Sequence, residues 1–178
     1  PDASELPKRL EQMCDFANGK KLDRFINPVV RSIILHYWLA YDHPFVDGNG
    51  RTARALFYWS MLHYGYWLFQ FISISKILVQ APAKYGRAFL LTESDDDDLT
   101  YFIQYQMNVI NRAFADLETY LSRKTAEVKQ VQAALDKSNQ LNYRQHALLT
   151  HAIRHPGHWY TIESHRRSHG VSYQTARQ

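Results

Sequence analysis

One cysteine, Cys14, is all this chain of 178 residues contains. No intrachain disulfide can form, so stability rests on burial, and a reducing compartment such as the cytoplasm fits this usage. Cys14 itself reads as a small buried apolar residue. A leader-like segment is also missing, and no apolar run is clean enough for a membrane span. The richest, Phe57 to Ile74, is broken by His63, Gly65 and Gln70. It reads instead as two core helices and the turn between them. Acids are scarce near the end: residues 141–178 hold one Glu against five Arg, whereas residues 1–140 balance 16 Lys+Arg against 16 Asp+Glu. The net charge of +4 therefore sits wholly in the tail, with six of the nine histidines. That change of composition marks a second module.

What is present is apolar enough, at 46% hydrophobic, to bury a real core. The patterning is helical almost throughout and predicts an all-α fold. Asn27-Pro28 is an N-cap followed by proline at the first helical position. Val29, Val30, Ile33, Ile34, Tyr37, Trp38 and Tyr41 then form an apolar stripe up to Asp42. Pro44 disfavours helical geometry at His43 and helps end that helix. His36, one turn from Ser32, reads as a packed or capping residue. Ser75 to Leu91 reads as helical with a break near Pro82. Asp95 to Asp98 reads as a solvated helix start, because acids favour the positive helix end and Leu99, Phe102, Ile103 and Tyr105 follow. That helix runs on through Ile110, Phe114, Leu117 and Leu121. Lys124 to Lys137 forms a polar connecting helix, and Ser138-Asn139 marks the module boundary.

In the tail, Tyr143 to His155 and Thr161 to His169 read as helices, Gly170 as a turn, and Ser172 as the cap of a third helix from Tyr173. This is the helix-turn-helix order, with the last helix in the recognition position. Arg166, Arg167 and Arg177 point to nucleic acid as a partner, with a protein-interaction module as the alternative. His155 with His158, and His165 with His169, have metal-compatible spacings. Without cysteine or acidic partners they read as surface histidines.

The densest chemistry lies in His43-Pro44-Phe45-Val46-Asp47-Gly48-Asn49-Gly50-Arg51-Thr52-Ala53-Arg54. Gly48 and Gly50 permit positive-φ backbone and close approach of a ligand. With Asn49 between them, successive N–H groups can form an anion-binding nest. Arg51 to Tyr64 reads as a helix, with Gly65 just past its end. The nest therefore opens a helix whose free N–H groups and dipole favour phosphate. Arg51 and Arg54 share a face of the first turn. Their charge opposes the helix dipole, a conflict that a polyphosphate lying between them and the helix end resolves. Asp47 is the kind of carboxylate that holds Mg²⁺ beside phosphate oxygens. Imidazole titrates near neutral pH, as a general base must, so His43 is the candidate to take a proton from an attacking hydroxyl. Phe45 reads as a core anchor for the loop.

This stretch resembles, at every fixed position, the Fic signature H-x-F-x-[D/E]-G-N-G-R-x-x-R. The resemblance covers residues 1–123 and implies a Fic-type helical bundle that moves AMP from ATP, with Mg²⁺, to a Ser, Thr or Tyr hydroxyl of a target protein. Carried over by position, His43 is the general base and Asp47 the Mg²⁺ ligand. Gly48, Asn49 and Gly50 resemble the cradle of the α- and β-phosphates, Arg51 the β-phosphate contact and Arg54 the γ-phosphate contact. The kinase-like Doc branch carries Lys where this chain has Gly50, which favours nucleotidyl transfer. In the family, the segment equivalent to Ser75–Leu91 helps to wall the base, which makes Tyr85 a candidate stacking residue or else a core residue.

Three further expectations follow from the resemblance. The chain starts at Pro1 in what resembles mid-domain, so it reads as a fragment lacking the N-terminal part and the β-hairpin flap that registers targets. No Glu is followed by Gly or Asn, so the family's inhibitory helix, whose Glu would pair with Arg54, is expected upstream or on another protein. Residues 124–139 are expected to connect to a truncated winged-helix module at 140–178, resembling that of bacterial Fic proteins. A nucleotide-sensing DNA-binding regulator, and an enzyme that removes AMP, are the alternatives.

Overall fold

A computed structural model of the chain describes residues 2–20, 24–137 and 141–177. Every regular element among them is helical: α1 (Leu6–Ala17), α2 (Pro28–Asp42), α3 (Asn49–His63), α4 (Ile74–Gln80), α5 (Pro82–Ser94), α6 (Thr100–Asp136), α7 (Tyr143–Arg154), α8 (Ile162–His169) and α9 (Tyr173–Arg177), with one 3₁₀ turn at Trp67–Gln70. The all-α expectation holds for these residues. Two compact units divide the chain, Pro1–Leu117 and Glu118–Gln178, and α6 runs through the division. The expected boundary at Ser138-Asn139 lies outside the described residues.

Local chemistry sets the ends of α2. The Asn27 carboxamide accepts the Val29 N–H at 2.9 Å, and Pro28 opens the helix. At the other end His43 takes a left-handed conformation (φ 49°, ψ 48°), and its N–H donates to Leu39 O at 3.2 Å. Pro44 follows, with no N–H to continue the ladder.

Between its ends α2 serves two apolar clusters. Ile33 and Tyr37 join Phe57, Met61, Phe69, Ile77 and Phe102 in the main core. Leu35 and Leu39 pack with Met13, Ala17 and Ala53, which ties α1 and α3 to its other side. A buried hydroxyl contact, Ser32 Oγ to Ser60 Oγ at 2.8 Å, stitches α2 to α3. The Phe57–Ile74 stretch departs from expectation in one respect: after α3 it makes only a single 3₁₀ turn. The Tyr58 hydroxyl holds that connection, donating to Ile72 O and accepting from Ile74 N–H. Cys14 is exposed, contrary to expectation. Leu10, Met13 and Ala17 take the packed face of α1, and Cys14 falls beyond its edge.

His36 is fully buried, as its packed reading requires. Its Nε2 meets the Tyr85 hydroxyl at 3.2 Å and its Nδ1 meets Gln106 Nε2 at 3.4 Å. Burial, and then the charge of Arg54, push its pKa from 6.5 down to about 3. Between those values the unfolded chain carries a proton that the folded chain refuses, so stability falls as pH drops below 6.5. Lowering the pH from 7 to 5 should therefore cost the first unit about 2 kcal/mol through His36 alone. Urea unfolding of wild type and His36→Gln at both pH values checks this. The variant should lose less on acidification, and an equal loss in both would remove His36 as the cause.

Of the run Asp95–Asp98, expected as a helix start, only Asp98 takes that part: Asp95 caps the C-terminal end of α5, and Asp96 and Asp97 turn the chain at φ 49° and 59°. Asp98 accepts the Thr100 N–H at 2.9 Å, and Asp95 accepts the Tyr101 hydroxyl. In the second unit, capping boxes open α7 (Asn142 with Gln145) and α8 (Thr161 with Ser164). Gly170 closes α8 at φ 60°, and Ser172 Oγ accepts the Thr175 N–H to start α9. The three-helix order is therefore as the sequence indicates. None of α7, α8 or α9 holds a fully buried residue.

Candidate active site

The loop between α2 and α3 is stapled by one side chain. Asn49, 3% exposed, accepts the Phe45 N–H at 2.9 Å and donates to Phe45 O at 2.6 Å. A carboxamide satisfied on both ends by one residue's backbone fixes the loop in a single register. The Phe45 ring, expected as the anchor, is instead 48% exposed. Phe45 holds the loop through its backbone, and the sequence does not reveal that exchange of roles.

The two glycines serve different ends. Gly48 sits at φ 88°, where a side chain would be strained, and caps α3. Gly50 lies inside α3 without positive φ, contrary to the expectation from its spacing. Its use is space: a Cβ there would meet Arg54 Nη1 at 3.3 Å. The first ladder bond of α3 runs from Thr52 N–H to Gly48 O, so the N–H groups of Asn49, Gly50 and Arg51 precede the ladder. Of the expected phosphate cradle, the N–H groups of Asn49 and Gly50 are available, while the Gly48 N–H goes to Asp47 Oδ1 and the Asn49 side chain is committed to the loop.

Around this helix start, His43, Val46, Asp47, Gly48, Asn49, Gly50, Arg51 and Arg54 line a cleft of about 300 Å³. All the residues expected from the motif are thus brought together. His43 is exposed, and its Nδ1 lies 3.2 Å from Ala40 O. That contact favours the tautomer with Nδ1–H and leaves Nε2 as the acceptor. Among the described residues Asp47 is the cleft's only carboxylate. It accepts the Gly48 N–H at 2.6 Å through Oδ1 and Arg51 Nη2 at 2.8 Å through Oδ2. Both partners of the Asp47–Arg51 pair are open to solvent (88% and 71% exposed). Such a pair contributes at most about 1 kcal/mol and yields readily to a ligand that carries its own charges.

Arg54 differs. It is half-buried, and among the described residues no carboxylate or hydrogen-bond acceptor pairs with it. Its charge is nevertheless felt at His36, Tyr58 and Tyr85. Tyr85 itself is a core residue: its hydroxyl meets His36, its ring packs edge-on against Phe89, and it does not line the cleft. No three His, Cys, Asp or Glu side chains among the described residues are disposed to hold a metal. His151 Nδ1 is engaged by the Tyr160 hydroxyl at 2.7 Å. Of the tail arginines, Arg166 and Arg167 both pair with Glu163, at 2.8 and 2.9 Å. Those two hold Glu163 at a pKa of about 2, and among the described residues no carboxylate pairs with Arg144, Arg154 or Arg177.

Among the described residues the cleft thus joins a helix start with unspent N–H groups, a half-buried arginine without a counter-charge, one carboxylate and an accessible imidazole, groups that can receive an anion and a proton. Parts of the chain are similar to known proteins. Residues 1–61 match the Fic/DOC family. Over 125 residues the chain is 25% identical to "Protein adenylyltransferase Fic" of Nematostella vectensis, covering 70% of this chain and 26% of that protein. Over 59 residues it is 41% identical to "Protein adenylyltransferase fic-1" of Caenorhabditis elegans, covering 33% of this chain and 11% of that protein. Over 66 residues it is 33% identical to "Protein adenylyltransferase Fic" of Drosophila willistoni, covering 37% and 13%. The chain thus spans about a quarter or less of the relatives it matches, and all three are animal proteins.

Proposed function

We infer that this chain carries the catalytic segment of a protein adenylyltransferase, which moves AMP from ATP to a Ser, Thr or Tyr hydroxyl of a target protein. One observation carries the reading: His43 shares a cleft with a phosphate-receptive helix start and with Arg54, which pairs with no carboxylate among the described residues. The names of the matched relatives support it.

In this reading the triphosphate lies along the start of α3. The N–H groups of Asn49, Gly50 and Arg51, with the helix dipole, receive the α- and β-phosphates, Arg51 adds a β-phosphate contact, and Arg54 meets the γ-phosphate. His43 Nε2 accepts the proton of the target hydroxyl as its oxygen attacks the α-phosphorus. The bond from the α-phosphorus to the bridging oxygen breaks, and pyrophosphate leaves among the arginines and N–H groups that already hold it. Gly50 supports nucleotidyl over phosphoryl transfer, since a longer side chain there would crowd Arg54.

Asp47 fits the part of a Mg²⁺ ligand, being a single exposed carboxylate beside phosphate-binding N–H groups. When bound, Mg²⁺ would neutralise charge on the phosphates. Excess chelator should lower the rate of label transfer by more than about tenfold, with Mg²⁺ restoring it. An unchanged rate would remove Asp47 from this role.

A second reading concerns the tail. The α8–Gly170–α9 geometry supports a helix-turn-helix of winged-helix type at 140–178, with 124–139 as the connection from a catalytic domain at 1–123, an arrangement in keeping with a bacterial-type protein. DNA is then a partner, met first through α9 and Arg177 because Glu163 engages Arg166 and Arg167. The free state of Arg54 fits an enzyme whose inhibitory helix lies elsewhere, upstream or in trans. Among the described residues no helix is long and apolar enough to cross a membrane, and a lone cysteine fits a cytoplasmic setting. A nucleotide-sensing regulator would need the phosphate ligands and no base. Removal of AMP would need a further carboxylate to place a water, and the cleft has none beyond Asp47.

A further inference from the structure

One part-buried ion pair, directly before His43 in the chain, has no part in the motif. Asp42, the last residue of α2, is 3% exposed, and its Oδ1 receives both Nε and Nη2 of Arg9 at 2.7 Å. Its Oδ2 is buried without a partner. A carboxylate at a helix C-terminus faces the negative end of the dipole. Buried there, it depends on its one counter-charge. Arg9 reaches it from α1, 33 residues earlier in the chain, with its guanidinium 5.8 Å from the Tyr41 ring centroid.

The neighbour of this pair is His43, a non-glycine residue held in left-handed geometry directly before a proline. Neither its chirality nor Pro44 favours that conformation, so the surroundings must impose it. Two anchors bracket it. On the far side Asn49 staples Phe45. On the near side Arg9 clamps Asp42. His43 and Pro44 are the only residues between them.

The geometry points to Arg9 and Asp42 as positioning residues: the clamp sets the last turn of α2, and through it the backbone angle at which His43 presents Nε2 to the attacking hydroxyl. Neither side chain lines the cleft, so ATP does not touch them. The effect on rate rests on the transfer reaction proposed above. The effect on backbone geometry does not.

The test uses the full-length chain as wild type, Arg9→Met, Arg9→Lys and the double variant Arg9→Met with Asp42→Asn. It reads two things: amide exchange at His43, whose N–H bonds Leu39 O, and kcat and KM for ATP. In Arg9→Met, exchange at His43 should quicken and kcat should fall on the order of tenfold, the population change that left-handed strain at one residue corresponds to. KM for ATP should stay within about twofold, because the phosphate groups sit on α3. Arg9→Lys keeps the charge and should lie near wild type in both readouts. The double variant removes the buried charge together with its partner and should recover much of the loss. Unchanged exchange at His43 in Arg9→Met would overturn the clamp. So would exchange that rises equally along all of α1 and α2, since the pair would then merely dock one helix on another. Should Arg9→Met fail to fold, Arg9→Lys and the double variant carry the same readouts, and a double variant that folds yet still exchanges fast at His43 would also overturn it. A wild type without transfer would overturn the proposed function while leaving the exchange comparison decisive for the clamp.

Discussion

Replacing His43 by alanine should lower kcat for AMP transfer by about 10²- to 10⁴-fold, the span a positioned general base contributes. ATP binding should stay within about twofold of wild type, because His43 belongs to the end of α2 whereas the phosphate-receptive groups belong to the start of α3. The imidazole is well placed for this single task. It is exposed, its Nδ1 faces Ala40 O, and its ring makes no other hydrogen bond among the described residues. Removing it therefore leaves the loop staple at Asn49 untouched, and the variant should fold as wild type does. Nucleotide titration beside turnover separates the two effects. A His43→Ala protein with full turnover would mean that the hydroxyl loses its proton to something else.

Arg54→Leu should act in the opposite sense on stability and on function. A half-buried guanidinium with no carboxylate costs the fold, and its charge further discourages protonation of His36. Leucine there should raise the thermal midpoint of the ligand-free protein. The same change removes charge-assisted hydrogen bonds to phosphate, which typically contribute about 1.5–3 kcal/mol, so ATP affinity should drop by roughly 10- to 150-fold. Sites that hold unpaired charge for a ligand commonly show this opposition. Thermal unfolding and nucleotide titration of the same preparation test it. A variant that loses stability, or one that binds ATP normally, would show that Arg54 already has an internal partner.

Much of the architecture is encoded locally. Asn27-Pro28, Pro44, Gly170 and Ser172 each act on their own few residues, and the helices they bound are where the sequence places them. The motif residues also converge as expected, since they lie within one loop and one helical turn. What sequence reading misses is non-local or a matter of facing. Cys14 is exposed because the packing of α1 selects Leu10, Met13 and Ala17, which periodicity alone does not settle. The sequence places the Asn49 N–H in the cradle but carries no sign that its carboxamide closes on the Phe45 backbone. Gly50 looks like a turn residue, yet its value is the space it leaves for Arg54. The Arg9–Asp42 pair spans 33 positions and carries no local signal beyond an acid at an unfavourable helix end.

In AMP transfer the bond broken lies between the α-phosphorus and the oxygen bridging to the β-phosphate. That cleavage is tested most directly by incubating the full-length protein, freed of any inhibitory partner, with ATP labelled at either the α- or the γ-phosphorus, and by following label into protein for wild type and His43→Ala. Label should enter from the α position only, and be lost in the variant. Label from the γ position would instead show phosphoryl transfer and contradict the role given to Gly50 and Arg54. Absence of label from both positions would contradict the transferase reading itself and leave the cleft as a nucleotide sensor.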